Sequence, residues 1–166
     1  MKRLILLRHA KAVPHGTMPD FDRVLAERGQ TDMALIAGWL AASKHKPELA
    51  LVSPSARTRE TWALAGLPEV PVTYEPAIYE AEAETLAEIA RKIPDEISCA
   101  VMVGHNPSFA DFALALRGAR DALDHLPTAG IVVAKWRIDH WSDLEPAKGK
   151  LKRFVAPANL REDDGD

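Results

Sequence analysis

The chain has 166 residues, of which 47% are hydrophobic and 27% charged, with a formal net charge of −3. That length suits one domain with a substantial core, and the balance is that of an ordinary globular protein. The slight acidic excess argues against a general binder of nucleic acid or membrane surfaces, although a local basic pocket would be hidden in the average.

Residues 4–7, Leu-Ile-Leu-Leu, predict a buried strand that stops abruptly at Arg8 and His9. The stretch 11–22 carries Pro14, Gly16 and Pro19 and reads as a loop. Over 29–43 the apolar residues Met33, Ile36, Ala37 and Leu40 recur at helical spacing. A second short strand covers 49–52 and closes at Ser53-Pro54, after which Ser55 is placed to cap a helix reaching Ala65. Residues 72–74 form a candidate third strand. Leu86, Ile89, Ala90 and Ile93 share one face of a helix over 84–93 that Pro94 stops. The clearest strand pattern is 99–103, ending in Gly104-His105-Asn106-Pro107, with Gly104 expected to permit the turn. Pro107 suits the first turn of a helix reaching Leu116. A longer strand over 130–138 then pairs as an antiparallel hairpin with 151–155. Trp39 and Trp62, on predicted helices, are assigned to the core, and His15, His45, His125 and His140 to the surface.

Alternating strands and helices predict an α/β domain with a mainly parallel sheet. The single cysteine, Cys99, excludes an internal disulfide and gives no zinc-binding spacing, so a reducing cytoplasm is the expected location. No apolar run approaches the roughly 20 residues of a membrane span. The apolar run at the amino end, cut by Arg8, is too short for a signal peptide.

Three strands end in residues suited to a phosphoryl group: Arg8-His9, Ser53-Pro54-Ser55-Ala56-Arg57 and Gly104-His105. In a parallel sheet these ends share one edge, where open α/β sheets place their ligands. Guanidiniums offset the charge on phosphoryl oxygens, and a neutral imidazole among them can attack phosphorus. Taken singly, each has a plainer reading: His9 as a structural strand-end residue, Arg57 as a helix-surface arginine like Arg59, and His105 as a capping or core histidine.

Four segments extend the pattern: Leu6-Leu7-Arg8-His9-Ala10-Lys11-Ala12, the stretch from Asp22 to Gly29, the stretch from Ser53 to Trp62, and Val103-Gly104-His105-Asn106-Pro107. Through them, in this order, the chain resembles the histidine phosphatase superfamily and, within it, the short SixA-like branch of phosphohistidine phosphatases. The resemblance reaches nearly the whole chain, up to Leu160. It implies a three-layer α/β/α sandwich with a mainly parallel central sheet, of the phosphoglycerate mutase type. One domain over 1–160 is expected, followed by an acidic, frayed tail over 161–166. His9 is implied as the nucleophile, phosphorylated and then hydrolysed, with Arg8, Arg57 and His105 holding the phosphate and no metal or other cofactor required. Neighbouring arginines disfavour protonation of His9, while a bound phosphate dianion favours His105 as a cation.

Two positions depart from relatives. Ala10 stands where the superfamily signature has glycine, which keeps the position small. Asn106 stands where the acid-phosphatase and phytase branch carries an aspartate. The mutase-like branch draws its general acid from mid-chain, and Glu80, within 77–81, is the matching candidate here. The alternative is a solvent-facing loop glutamate, in a stretch that also holds Glu82 and Glu84. Phosphohistidine suits such a site, because its imidazole nitrogen leaves more readily than an alkoxide and depends less on a positioned acid. A chain this short also has little length for a lid. The expected substrate is therefore a phosphorylated protein carrying phosphohistidine. The alternatives are a small phosphorylated metabolite or, in a different class, a weakly active phosphate-binding signalling module. Neither a nucleic-acid nor a membrane partner is expected. Asp20, Asp22 and Arg23 are expected to brace the pocket rim, with Asp22 or Arg23 orienting the Arg8 loop, unless they are chance surface charge. Lys11 is expected to add positive potential.

Overall fold

Strand β1 (Lys2–Arg8) buries residues 4–7 completely on both sides, which requires a covering layer on each face of its sheet. The computed structural model, which describes residues 1–16 and 18–164, supplies both layers. In chain order, β1 is followed by α1 (Glu27–Ala42), β2 (Leu49–Val52), α2 (Ala56–Leu64), β3 (Val72–Tyr74) and α3 (Ala83–Arg91). Then come β4 (Cys99–Gly104), α4 (Ser108–Leu114), α5 (Ala119–Ala122), β5 (Ile131–Trp136), β6 (Lys150–Val155) and α6 (Pro157–Asp164).

The sheet runs in the order β3-β2-β4-β1-β5-β6. Neighbours among β3, β2, β4 and β1 are parallel, and β5 is antiparallel to both β1 and β6. Period-two alternation splits the buried residues between two cores. Leu4, Leu6, Ala100 and Met102 pack on Leu86 of α3 and Phe109 and Phe112 of α4. Ile5, Leu7, Val101 and Val103 pack on Met33 and Ile36 of α1 and Trp62 of α2, with Leu160 of α6 at the margin. The result is the expected three-layer α/β/α sandwich. No described helix is long and apolar enough to cross a membrane.

The structure revises several local expectations. Ser55 does occupy the N-cap position of α2, but its hydroxyl bonds that of Thr58 at 2.6 Å instead of capping a backbone N–H. Gly104 has no unusual φ; a Cβ there would lie 2.5 Å from the Phe109 ring and 2.7 Å from Ile78, so close packing demands the glycine. His45 is buried, not on the surface, and Trp39 is only partly buried beside it. Helices α5 and α6 have no counterpart in the sequence reading, and α6 carries residues 161–164 of the expected tail. Residues 165–166 lie outside those described.

Candidate active site

Parallel pairing aligns the strand ends. Arg8 of β1 stands opposite Gly104 of β4, and Val103 of β4 opposite Val52 of β2. The ladder continues one residue further, with His9 N–H donating to the Gly104 carbonyl and Ser53 N–H to the Val103 carbonyl, both at 3.0 Å. Arg8, His9, Ser53 and His105 are therefore delivered to one sheet edge by regular backbone. Arg57 joins them from the first turn of α2. Arg8, His9, Arg57 and His105 together line a cavity of about 700 Å³, with Lys11 on its wall.

The His9 ring is 8% exposed, and its Nδ1 lies 2.7 Å from the Ala10 carbonyl oxygen. A carbonyl only accepts, so Nδ1 carries the proton and Nε2 keeps its lone pair in the neutral ring. Burial pushes the His9 pKa down to about 4, partly opposed by the Ala10 carbonyl and reinforced by Arg57, Arg8 and Arg23. Near neutral pH this imidazole is therefore unprotonated and held in one tautomer, a state capable of nucleophilic attack. The His105 ring lies 5.4 Å away, centroid to centroid, with Nε2 2.8 Å from Ser53 Oγ. Burial, then His9 and Arg57, depress the His105 pKa to about 3.

Among the described residues, the buried side-chain polar atoms with no partner are Arg8 Nε, Arg57 Nε, His105 Nδ1 and His45 Nδ1. The first three belong to residues of the one cavity. Buried polar groups are normally satisfied, so three unpartnered polar atoms on residues lining one cavity suit an anion with several acceptor oxygens. An added dianion also reverses the electrostatics at His105, favouring its protonated form.

Both guanidiniums are also tethered. Arg8 donates through Nη1 to the Leu126 carbonyl at 3.0 Å. Arg57 donates through Nη1 to the Asp20 backbone carbonyl at 2.8 Å and through Nη2 to Asp20 Oδ2 at 3.1 Å. Asp20 is thus the bracing acid, and it orients Arg57. Asp22 makes no side-chain hydrogen bond among the described residues, whereas Arg23 reaches the segment that follows Arg8. Arg23 supports Asp20 at 2.9 Å and holds the Val13 carbonyl at 2.8 Å, and the Tyr79 hydroxyl donates to the same Asp20 carboxylate. These donors hold the Asp20 carboxyl well below the usual carboxylate range, the Tyr79 hydroxyl contributing most.

Thr61, absent from the sequence reading, ties the His9 turn to α2. Its hydroxyl accepts from Ala10 N–H at 3.0 Å and donates to the Arg57 carbonyl at 2.7 Å. Its place four residues after Arg57 was the available signal, since helical threonines commonly bond the carbonyl one turn back.

Glu80 is exposed and lines an adjoining cavity of about 320 Å³ together with Asp20, Arg57, Tyr79, His105 and Asn106. The structure brings it to the mouth of the site without a hydrogen bond to hold it, among the described residues. Asn106 is structural: its Nδ2 donates to the Leu126 carbonyl at 2.9 Å and its Oδ1 accepts from Ala110 N–H at 3.2 Å. Both amide functions are used, which an aspartate could not reproduce. Among the described residues no three His, Cys, Asp or Glu side chains gather as a metal-binding group.

The profile of the histidine phosphatase superfamily (branch 1) matches residues 4–130, an interval that contains every residue of this cavity. The chain belongs to the histidine phosphatase superfamily. Membership supports phosphatase activity on a phosphorylated substrate. Among superfamily structures, the chain is similar to one from Agrobacterium tumefaciens assigned as a phosphohistidine phosphatase SixA. The TM-score is 0.79 at 33% identity, covering 94% of this chain and 99% of that one. It shares its fold with the protein histidine phosphatase SixA complexed with tungstate, at TM-score 0.76 and 20% identity over 95% of this chain and 99% of that one. In sequence it is 35% identical to an uncharacterized protein of Mycobacterium leprae, over 91% of this chain and 99% of that protein. A relative from Mycobacterium tuberculosis, also uncharacterized, is 31% identical over the same shares.

Proposed function

We propose that this histidine phosphatase hydrolyses phosphohistidine on a protein, without a metal, through a phosphorylated His9. The observation that carries the reading is the free Nε2 of a neutral His9 set among three unsatisfied buried donors. In the first step His9 Nε2 bonds to phosphorus while the substrate P–N bond breaks. The electron pair goes to the substrate imidazole, which arrives protonated on its other nitrogen and so leaves as the neutral ring. In the second step a water oxygen bonds to phosphorus, the pair of the P–Nε2 bond returns to His9, and inorganic phosphate departs. Arg8, Arg57 and a protonated His105 offset the charge of the transferring group. Glu80 is the proton donor when the leaving group needs one.

A protein substrate is favoured over a small ester by the wall of the site. The segment that supplies Val13, Pro14, His15 and Asp20 to the cavity also exposes Met18, Phe21 and Val24, each 36–41% accessible. Apolar side chains clustered beside a polar cavity fit a macromolecular contact. The similarity to SixA structures supports the same choice.

Phosphate release from a phosphohistidine-bearing protein domain tests the reading, with p-nitrophenyl phosphate as comparison. Fast release by the native chain that vanishes in His9→Ala is expected. Release from the ester alone would move the assignment to small phosphomonoesters.

A further inference from the structure

At the opposite end of β1 from His9, cations accumulate that the reaction does not use. Arg3 of β1 stands opposite Lys135 of β5, which stands opposite Lys150 of β6. Facing residues share one side of a sheet, so these three like charges form a row across adjoining strands. Like charges set directly opposite one another destabilise a sheet. Lysines on an edge strand discourage unwanted strand pairing, which accounts for Lys150 and Lys152 on β6. It does not account for Arg3 and Lys135, which lie inside the sheet.

Two cavities that share Lys152 lie beside the row. One, of about 310 Å³, is lined by Arg117, Lys135, Arg137, Lys150 and Lys152. The other, of about 470 Å³, shares Lys152 and adds Trp39, Lys44, His45 and Arg153. No carboxylate lines either, and none of these arginines and lysines is in an ion pair, among the described residues. Glu48, just before β2 at this end of the sheet, has its Oε1 engaged by the Ser98 and Cys99 N–H groups. Together with Arg3 the two cavities hold eight of the 21 lysines and arginines of a chain whose net charge is −3. Lys135 is held below its ordinary pKa by desolvation and by Arg3, Lys152, Arg137 and Lys44.

The second cavity also carries a built feature. His45 is 6% exposed, and its Nδ1 is the fourth buried polar atom without a partner. Its ring stacks on Trp39 at 6.4 Å, and the Arg153 guanidinium lies over the same Trp39 at 5.8 Å. Five cations around the first cavity and three around the second, Lys152 being common to both, call for negative charge of matching density. Linked phosphoryl groups provide that within a few ångströms, whereas carboxylates on a peptide are spaced along its backbone.

We propose that this two-lobed cleft is a second anion site, which binds a chain of linked phosphoryl groups, either as an inorganic oligophosphate or as part of a nucleotide. It lies about 17 Å from the catalytic edge, counted as five residues of β1 at ~3.3 Å each. It does not depend on the reaction at His9.

Calorimetric titration of the full chain in a His9→Ala background, with inorganic tripolyphosphate and with adenosine triphosphate, tests it. Charge reversals Lys152→Glu and Lys135→Glu are the decisive variants. Relieving a crowd of like charges favours folding, so these chains remain folded, which thermal melting checks. Both are expected to weaken tripolyphosphate binding at least tenfold while leaving orthophosphate binding at Arg8 and Arg57 unchanged. Equal affinity for the two ligands would identify the phosphate chain alone as the determinant. Tighter binding of the nucleotide that disappears in Trp39→Ala would identify a nucleotide. Undiminished binding in both reversals would overturn the proposal. So would displacement of tripolyphosphate by duplex DNA or polyglutamate at lower concentration, which would reassign the face to a macromolecule.

Discussion

Arg57 Nη2 lies 3.1 Å from Asp20 Oδ2 while its Nη1 donates to the backbone carbonyl of the same residue. Two anchor points on one residue fix the guanidinium plane and leave Nε, buried, without a partner. Arg57 is 7% accessible and Asp20 40%, so solvent screens the pair and its contribution is to orientation more than to stability.

Removing that anchor is expected to act on turnover. Misplacing a positioned group by about 1 Å costs on the order of 100-fold, so Asp20→Ala should lower kcat/KM for a phosphohistidine substrate by about 10- to 100-fold. The melting temperature should move little. A variant as active as the native chain would show that Arg57 needs no brace.

The depressed imidazoles set a pH signature. Both are neutral when folded, His9 down to about 4 and His105 to about 3, but titrate near 6.5 when unfolded. Between pH 6.5 and about 4 the unfolded chain therefore binds more protons, so stability rises with pH across that window and levels off above it. Each group contributes at most about 1.4 kcal/mol per pH unit. Melting curves from pH 4.5 to 7 should show this slope, and it should flatten in His9→Asn/His105→Asn. The acid limb of kcat/KM should fall near 4 instead of near 6.5; a limb at 6.5 would contradict the neutral, buried His9.

Glu80 should matter only where a leaving group needs its proton. General acids contribute roughly 100- to 10,000-fold. Glu80→Gln should therefore lower turnover of an alkyl phosphate by at least about 100-fold and that of phosphohistidine by less than about 3-fold. Equal losses on both substrates would remove Glu80 from the role of donor.

Gly104→Ala tests the packing beneath His105. A Cβ would meet the Phe109 ring at 2.5 Å, and overpacking of a filled core costs about 1–3 kcal/mol. Chemical denaturation should register that loss, together with reduced activity as the turn bearing His105 shifts. A fully stable, active variant would place flexibility, not packing, at this glycine.

What was legible in the sequence follows from which forces act locally. Runs such as Leu4 to Leu7 and Cys99 to Val103 announce buried strands, and parallel pairing then carries Arg8, His9 and His105 to one edge. The brace on Arg57 was not legible, because it depends on how the short turn at Asp20–Asp22 is set against α2. Nothing in the spacing of Asp20, Asp22 and Arg23 says which one turns inward. The cationic row was hidden for a similar reason: Arg3, Lys135 and Lys150 meet only through strand register. His45 read as a surface residue because a short polar turn gives no sign that the Trp39 ring covers it.

Strand β4 lies between β1 and β2 although it follows both in the chain. An amino-terminal portion already holding Arg8, His9 and Arg57 therefore has a gap where its central strand belongs, and no His105. Closing that gap needs contacts between distant segments, which form late. Assembly of this edge thus waits on residues 99–105: a ribosome-bound or truncated chain ending before Cys99 carries Arg8, His9 and Arg57 yet lacks the strand that aligns them.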